Sequence, residues 1–217
     1  MDVDSIVEAI ESGDRRAASR LISRAETGNI GIVPALAALY RRGGKARTIG
    51  VTGPPGAGKS TLVDRLVQHY RREGQTVGVI AVDPTSPFSG GAVLGDRVRM
   101  GRHADDPGVF IRSMATRGVL GGLTRAIDDV VIILDALGLN ILIVETVGIG
   151  QSEIDVASHA DAVLLLQTPM GGDDVQAIKA GIGEIADIIV VNKMSAPGAS
   201  DTLRMFQKIL HDDDPPP

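Results

Sequence analysis

Cysteine is absent from the 217 residues, which excludes a disulfide framework and a thiolate metal site and agrees with a reducing compartment. Aromatic residues are scarce: three Phe and two Tyr. Any core within the 43% apolar content must therefore be built from Ile, Val, Leu and Ala. There is no basic excess either; 22 Lys and Arg stand against 27 Asp and Glu, and the net charge of −5 argues against nucleic acid as a partner. The longest apolar region, Val130–Val144, holds Asp135 and Asn140 and is too short to span a bilayer. The opening Met1-Asp-Val-Asp-Ser5 is acidic where a secretory signal is basic and then apolar. Together these absences predict a soluble, cytoplasmic protein with no membrane partner. The four histidines, at 69, 103, 159 and 211, show no ligand spacing and read as surface or capping residues. No internal repeat is visible, and the length suits one large domain or one domain with a small appendage.

What is present is a complete phosphate-binding loop, Gly53, Pro54, Pro55, Gly56, Ala57, Gly58, Lys59 and Ser60, followed by Thr61. It lies between an apolar run, Arg47-Thr-Ile-Gly-Val-Thr52, and a stretch in which Leu62, Leu66 and Tyr70 recur every four residues beside Val63 and Val67. That periodicity predicts a helix. A strand, a glycine turn and a helix N-terminus aim backbone N–H groups and a positive dipole end at bound phosphate. In this motif Lys59 reaches the β- and γ-phosphates and the Ser60 hydroxyl ligates Mg²⁺. The loop predicts binding of a nucleoside triphosphate.

Residues 1–46 read as a helical segment: a stripe of Val3, Ile6, Val7 and Ile10, a turn at Gly13-Asp14, a helix through Leu21 and Ile22, and a third over Val33–Tyr40 with Pro34 in its first turn. Arg41-Arg-Gly-Gly-Lys45 reads as a solvated connector. From 47 to 211, strands and helices alternate. Strands are predicted at 48–53, 76–82, 109–112, 140–145, 162–167 and 187–191, and helices at 59–72, 96–103, 119–137, 153–158, 173–181 and 200–210. Continuous runs such as Ile141-Leu-Ile-Val144 and Ile188-Ile-Val-Val191 indicate strands covered on both faces. The fold class is therefore α/β, a mostly parallel sheet between helix layers. The tail 212–217, ending Pro-Pro-Pro, is expected to be disordered.

Parallel sheets bind ligands beyond the carboxyl ends of their strands. There the second strand delivers Asp83-Pro-Thr-Ser86, followed by Asp96; both carboxylates suit Mg²⁺, although each also reads as a strand end or a helix cap. The fourth strand ends in Glu145, with Gly148 three residues later, an arrangement that orients Mg²⁺ or its water and senses the γ-phosphate. Catalytic roles thus fall to Lys59, Glu145 and Asp83. Gln151 either positions water or caps a helix. The sixth strand leads into Asn192-Lys193-Met194-Ser195. In GTPases the corresponding segment is Asn-Lys-x-Asp: the lysine stem covers the base, the Asn supports the loop, and the Asp accepts two hydrogen bonds from guanine. Serine at 195 departs from that pattern. Lys179 is either a solvated helix lysine or part of a switch.

Seven segments, at 53–61, 82–86, 90–100, 121–126, 145–153, 176–181 and 186–193, make the chain similar to the cobalamin-chaperone G proteins called MeaB. The family is also labelled ArgK, and its human counterpart is the methylmalonic aciduria type A protein. The stretch Glu145-Thr-Val-Gly-Ile-Gly-Gln-Ser-Glu153 is the most specific. The resemblance implies a P-loop G domain that hydrolyses GTP to GDP slowly, with Mg²⁺, and binds an adenosylcobalamin-dependent acyl-CoA mutase, usually methylmalonyl-CoA mutase. It would gate cofactor loading and protect that enzyme. It also implies that Lys59, Ser60 and Thr61 hold phosphate and metal, that Asp83, Asp96 and Glu145 serve magnesium and the switches, and that Lys179 lies in a switch communicating with the mutase. Family members are homodimers; the dimerising C-terminal helices and the loop closing over guanine are not found here, so a homodimer is expected to be weakened and the chain to be a fragment or a short relative. Two other functions compete: a kinase, as the ArgK label implies, and a nucleotide-binding interaction module with little turnover.

Overall fold

The structure is a computed structural model and describes residues 3–84, 101–103, 105–116, 122–146, 160–169 and 186–212. Three helices come first: α1 (Val3–Glu11), α2 (Arg15–Glu26) and α3 (Val33–Tyr40). Asp14 caps α2 by accepting from the backbone N–H groups of Arg16 and Ala17, two of the donors that a helix start leaves unsatisfied. Pro34 sits in the first turn of α3, where its missing N–H costs nothing. Then follow β1 (Arg47–Thr52), α4 (Lys59–Arg72), β2 (Val77–Pro84), a 3₁₀ turn (Gly101–His103), β3 (Val109–Thr116), α5 (Gly122–Ala136), β4 (Ile141–Glu145), β5 (Ala162–Gln167), β6 (Ile188–Val191) and α6 (Ala199–Asp212).

The strands form one sheet in the order β3-β2-β4-β1-β5-β6, and every pairing is parallel. The continuous apolar runs divide by the two-residue period of a strand. Val77, Val79, Ile141 and Ile143 pack with Val63 and Val67 of α4. Ile80, Val82, Leu142 and Val144 pack on the other face with Ile127, Val130, Ile133 and Leu134 of α5. Ile10, Leu21, Ile22 and Leu39 of the first three helices belong to that second cluster and are fully buried, each contributing about 1.5–3 kcal/mol. Polar ties hold these helices in place. Arg112 of β3 binds Glu26 and Ser23, and Arg15 donates to the carbonyls of Val109 and Pro107 while lying over the Phe110 ring. Asp135 of α5 accepts from the N–H groups of Gly44, Lys45 and Ala46, clamping the connector into β1.

Several boundaries differ from the sequence reading. Strand β1 stops at Thr52 because Gly53 takes a φ of 138°, off the pleat. Strand β3 runs to Thr116 instead of Arg112, because pairing with β2 continues to Pro84↔Thr116 and carries polar residues into the ladder. Helix α6 reaches Asp212, a residue that composition assigned to the tail. Of the helix predicted at 96–103, the described residues 101–103 form a 3₁₀ turn. The helices predicted at 153–158 and 173–181 lie outside the described residues.

Candidate nucleotide site

Strand order places the site. β1 lies between β4 and β5, so the loop leaving Thr52 rises between the ends of both neighbours. Register sets Val51 beside Glu145 and Thr52 beside Leu165. The loop fits only with glycine at two points. A Cβ on Gly53 would stand 2.1 Å from the Leu166 carbonyl, and one on Gly58 would stand 2.5 Å from Asn192 Nδ2. Gly58, at a φ of 100°, is also the N-cap of α4, with Leu62 N–H donating to its carbonyl at 3.0 Å. Lys59 is 7% exposed and donates to the carbonyls of Gly53 (2.7 Å) and Pro54 (3.1 Å), which folds the ammonium over the loop.

Ser60, in the first turn of α4, donates its hydroxyl to Glu145 Oε1 at 2.7 Å. Glu145 is 4% exposed at the end of β4. Beside it the buried Thr146 and Thr52 hydroxyls are 3.1 Å apart, and Thr146 N–H donates to the Val51 carbonyl, so the strand ends are joined above the ladder. From the far side Asn192, following β6, donates its side-chain amide to the Ala57 carbonyl at 2.8 Å. The segment predicted to read a base is thereby tied to the loop predicted to hold phosphate. Lys193 takes a left-handed φ of 56° and its carbonyl accepts from Ala196 N–H, a turn that leaves Lys193, Met194 and Ser195 exposed.

The structure thus brings the 53–60 loop, Glu145 and Asn192 together. Thr61 is exposed in the first turn of α4. Asp83 lies within β2, in register with Ala115; its side chain, together with Asp96, Gly148, Gln151 and Lys179, lies outside the described residues. The donor set suits Mg²⁺: one hydroxyl and one carboxylate, both oxygen, for an ion that binds few protein ligands besides phosphate oxygens and water.

One expectation is corrected. His103 is not a surface residue. It is 7% exposed and its Nε2 lies 2.9 Å from Asp64 Oδ1, while Arg102 donates to Asp64 Oδ2 at 2.5 Å. Asp64, four residues after Ser60 and 3% exposed, is a buried carboxylate that sequence reasoning did not single out. The signal for it was an acid placed on the same helix stripe as Val63 and Val67. Further along α4, Arg71 grips Asp106 through two hydrogen bonds of 3.0 Å, holding the approach to β3 on the same helix. That pair and the Gly108 N–H keep the Asp106 carboxyl below its ordinary range. Among the described residues no helix is long and apolar enough to cross a membrane.

Comparison with known proteins places the chain among relatives. The family model described as Methylmalonyl Co-A mutase-associated GTPase MeaB matches residues 19–216. A putative GTPase of Pyrococcus horikoshii is 56% identical over 200 residues, covering 92% of this chain and 63% of the relative. The mitochondrial methylmalonic aciduria type A homolog of Mus musculus is 44% identical over 155 residues, covering 70% of this chain and 37% of the relative. A solved structure described as an LAO/AO transport system kinase superposes with a TM-score of 0.74 at 30% identity, covering 96% of this chain and 63% of that one. The chain therefore spans less than two thirds of the length of these relatives.

Proposed function

The chain belongs to the MeaB family, and from that premise we propose that it is the nucleotide-binding core of a GTP hydrolase that assists an adenosylcobalamin-dependent acyl-CoA mutase. The observation that carries the GTPase reading is the 2.7 Å contact of Ser60 with Glu145, which sets the start of the phosphate-loop helix against the carboxylate of a neighbouring strand. In this reading the loop N–H groups and the α4 N-terminus hold the β- and γ-phosphates. Lys59 exchanges its loop carbonyls for phosphate oxygens, a charged pairing stronger than the neutral one it leaves. Ser60 and Glu145, together with Asp83 and Asp96, would hold Mg²⁺, which would screen phosphate charge. Glu145 would orient Mg²⁺ or its water, and the Gly148 N–H would sense the γ-phosphate. Lys193 and Ser195 face the base, and Asn192 holds their turn against the phosphate loop. The mutase as partner rests on the family's description and on the name of the mouse relative.

The test is phosphate release from GTP with Mg²⁺, alone and with methylmalonyl-CoA mutase, for the unmodified chain and for Lys59→Ala. Release without any acceptor, abolished in the variant and altered by the mutase, is the expected result. Phosphate transfer to another acceptor with no release to water would favour the kinase reading. Release that ignores the mutase would remove the chaperone role and leave the hydrolase.

A further inference from the structure

Resting on the nucleotide-site reading, we propose that Ser195 makes this site a reader of purine nucleoside triphosphates with little discrimination at the base edge, so that GTP, ITP and XTP are accepted as one class. Three observations converge. Asn192 ties the segment to the phosphate loop through the Ala57 carbonyl, so the following turn is the part of the sheet's carboxyl edge placed to meet a base. The turn closes tightly, Ala196 N–H to the Lys193 carbonyl at 2.8 Å, with Lys193 left-handed, and presents the exposed Ser195. Among the described residues of this turn no carboxylate stands in its place. Residues 192–200 contain none, and the next, Asp201, lies in the first turn of α6 with its side chain 81% exposed and bound to Arg204 at 3.0 Å. Asp187, before β6, is held at the strand's opposite end by the Val163 N–H.

The chemistry follows from what a hydroxyl does. A carboxylate only accepts, so at this place it selects a base edge that offers two donors, the N1–H and 2-amino group of guanine, and repels the 2-oxo group of xanthine. A serine hydroxyl is one donor and also an acceptor. It accepts a hydrogen bond from N1–H of guanine or hypoxanthine and rotates to donate to the 2-oxo group of xanthine. Each is a single bond without ionic assistance, about half as strong as the charged form. The 2-amino group therefore adds little.

Calorimetric titration of the full chain with the non-hydrolysable β,γ-imido analogues of GTP, ITP and XTP tests this. The three should bind within about fivefold of one another, under about 1 kcal/mol. Ser195→Asp should raise the GTP-over-ITP ratio by about 30-fold, equivalent to about 2 kcal/mol, and should weaken XTP. Ser195 is exposed, so these changes leave the fold intact; Ser195→Ala should lower all three affinities by a similar small factor. If the unmodified chain already prefers GTP over ITP by about 30-fold, or if Ser195→Asp leaves the ratio unchanged, the inference is overturned while the nucleotide site stands. If none of the three binds and Lys59→Ala changes nothing, the nucleotide-site reading falls as well.

Discussion

Glu145 and Ser60 stand 85 positions apart in the chain, yet their side chains meet at 2.7 Å. Under the proposed role, Glu145→Gln keeps the shape and removes the charge. GTP turnover should fall by about 100-fold, near 2.7 kcal/mol of barrier, while GDP affinity changes by less than about threefold. Phosphate release and GDP titration check this, and equal losses in both would mark Glu145 as a structural strand end. A second prediction concerns acid. The Arg71 guanidinium and the Gly108 N–H lower the carboxyl pKa of Asp106, as the N–H groups of Ala17 and Arg16 lower that of Asp14. A depressed folded value means that the unfolded chain binds the proton more readily. The stability these groups confer is therefore complete above the ordinary carboxylate range, about pH 4–5, and is lost as the pH falls below it. Asp129 on α5 runs the other way: burial raises its value, so its ionisation removes stability as the pH rises through it. Asp106→Asn should flatten the fall in Tm between about pH 5 and pH 3. An unchanged slope would exclude the Arg71 pair as a source of acid sensitivity.

At the scale of elements, the phosphate loop and the turn after β6 depend on a backbone approach that leaves no room for a side chain. Gly58→Ala would force a left-handed alanine, costing about 1–2 kcal/mol, and drive its Cβ to 2.5 Å from Asn192 Nδ2. Triphosphate affinity should drop by about tenfold or more because loop and turn can no longer share the Ala57–Asn192 bond. Titration of Gly58→Ala beside Gly56→Ala separates the causes, since Gly56, also at positive φ, meets nothing within 4 Å. If the two variants lose affinity equally, backbone conformation alone accounts for the loss and the contact carries no weight. The helix α4 was legible in sequence as a run of apolar residues at four-residue spacing. Its buried register was not: Val63 and Val67 are fully buried while Leu62, Leu66 and Tyr70 are half-buried. Spacing gives the helix, but the angle at which it meets the sheet selects the stripe.

For the whole molecule, the helices before β1 pack into the main fold. They share one buried cluster with α5 and one face of the sheet, and Arg15 and Arg112 tie α2 to β3. Leu21→Ala should therefore cost about 2–5 kcal/mol of global stability. The urea transitions of helix by circular dichroism and of sheet by amide exchange should move down together. A separate, early transition of the first three helices would show that they unfold as an independent unit.

The phosphate loop, the parallel sheet and the helical lead-in are written locally, in glycine spacing, in continuous β-branched runs and in apolar periodicity, so the chain alone determines them. Serine at 195 is likewise a fact of sequence. Tertiary structure decided which distant groups meet. Nothing in local spacing tells that β1 inserts between β4 and β5, and only that order sets Ser60 against Glu145 and lets Asn192 reach Ala57. The same holds for His103, read as a surface or capping residue for want of ligand spacing and buried in the fold. Its burial depends on a carboxylate 39 positions earlier, because a polar ring leaves water only where a partner supplies the hydrogen bond that water gave up.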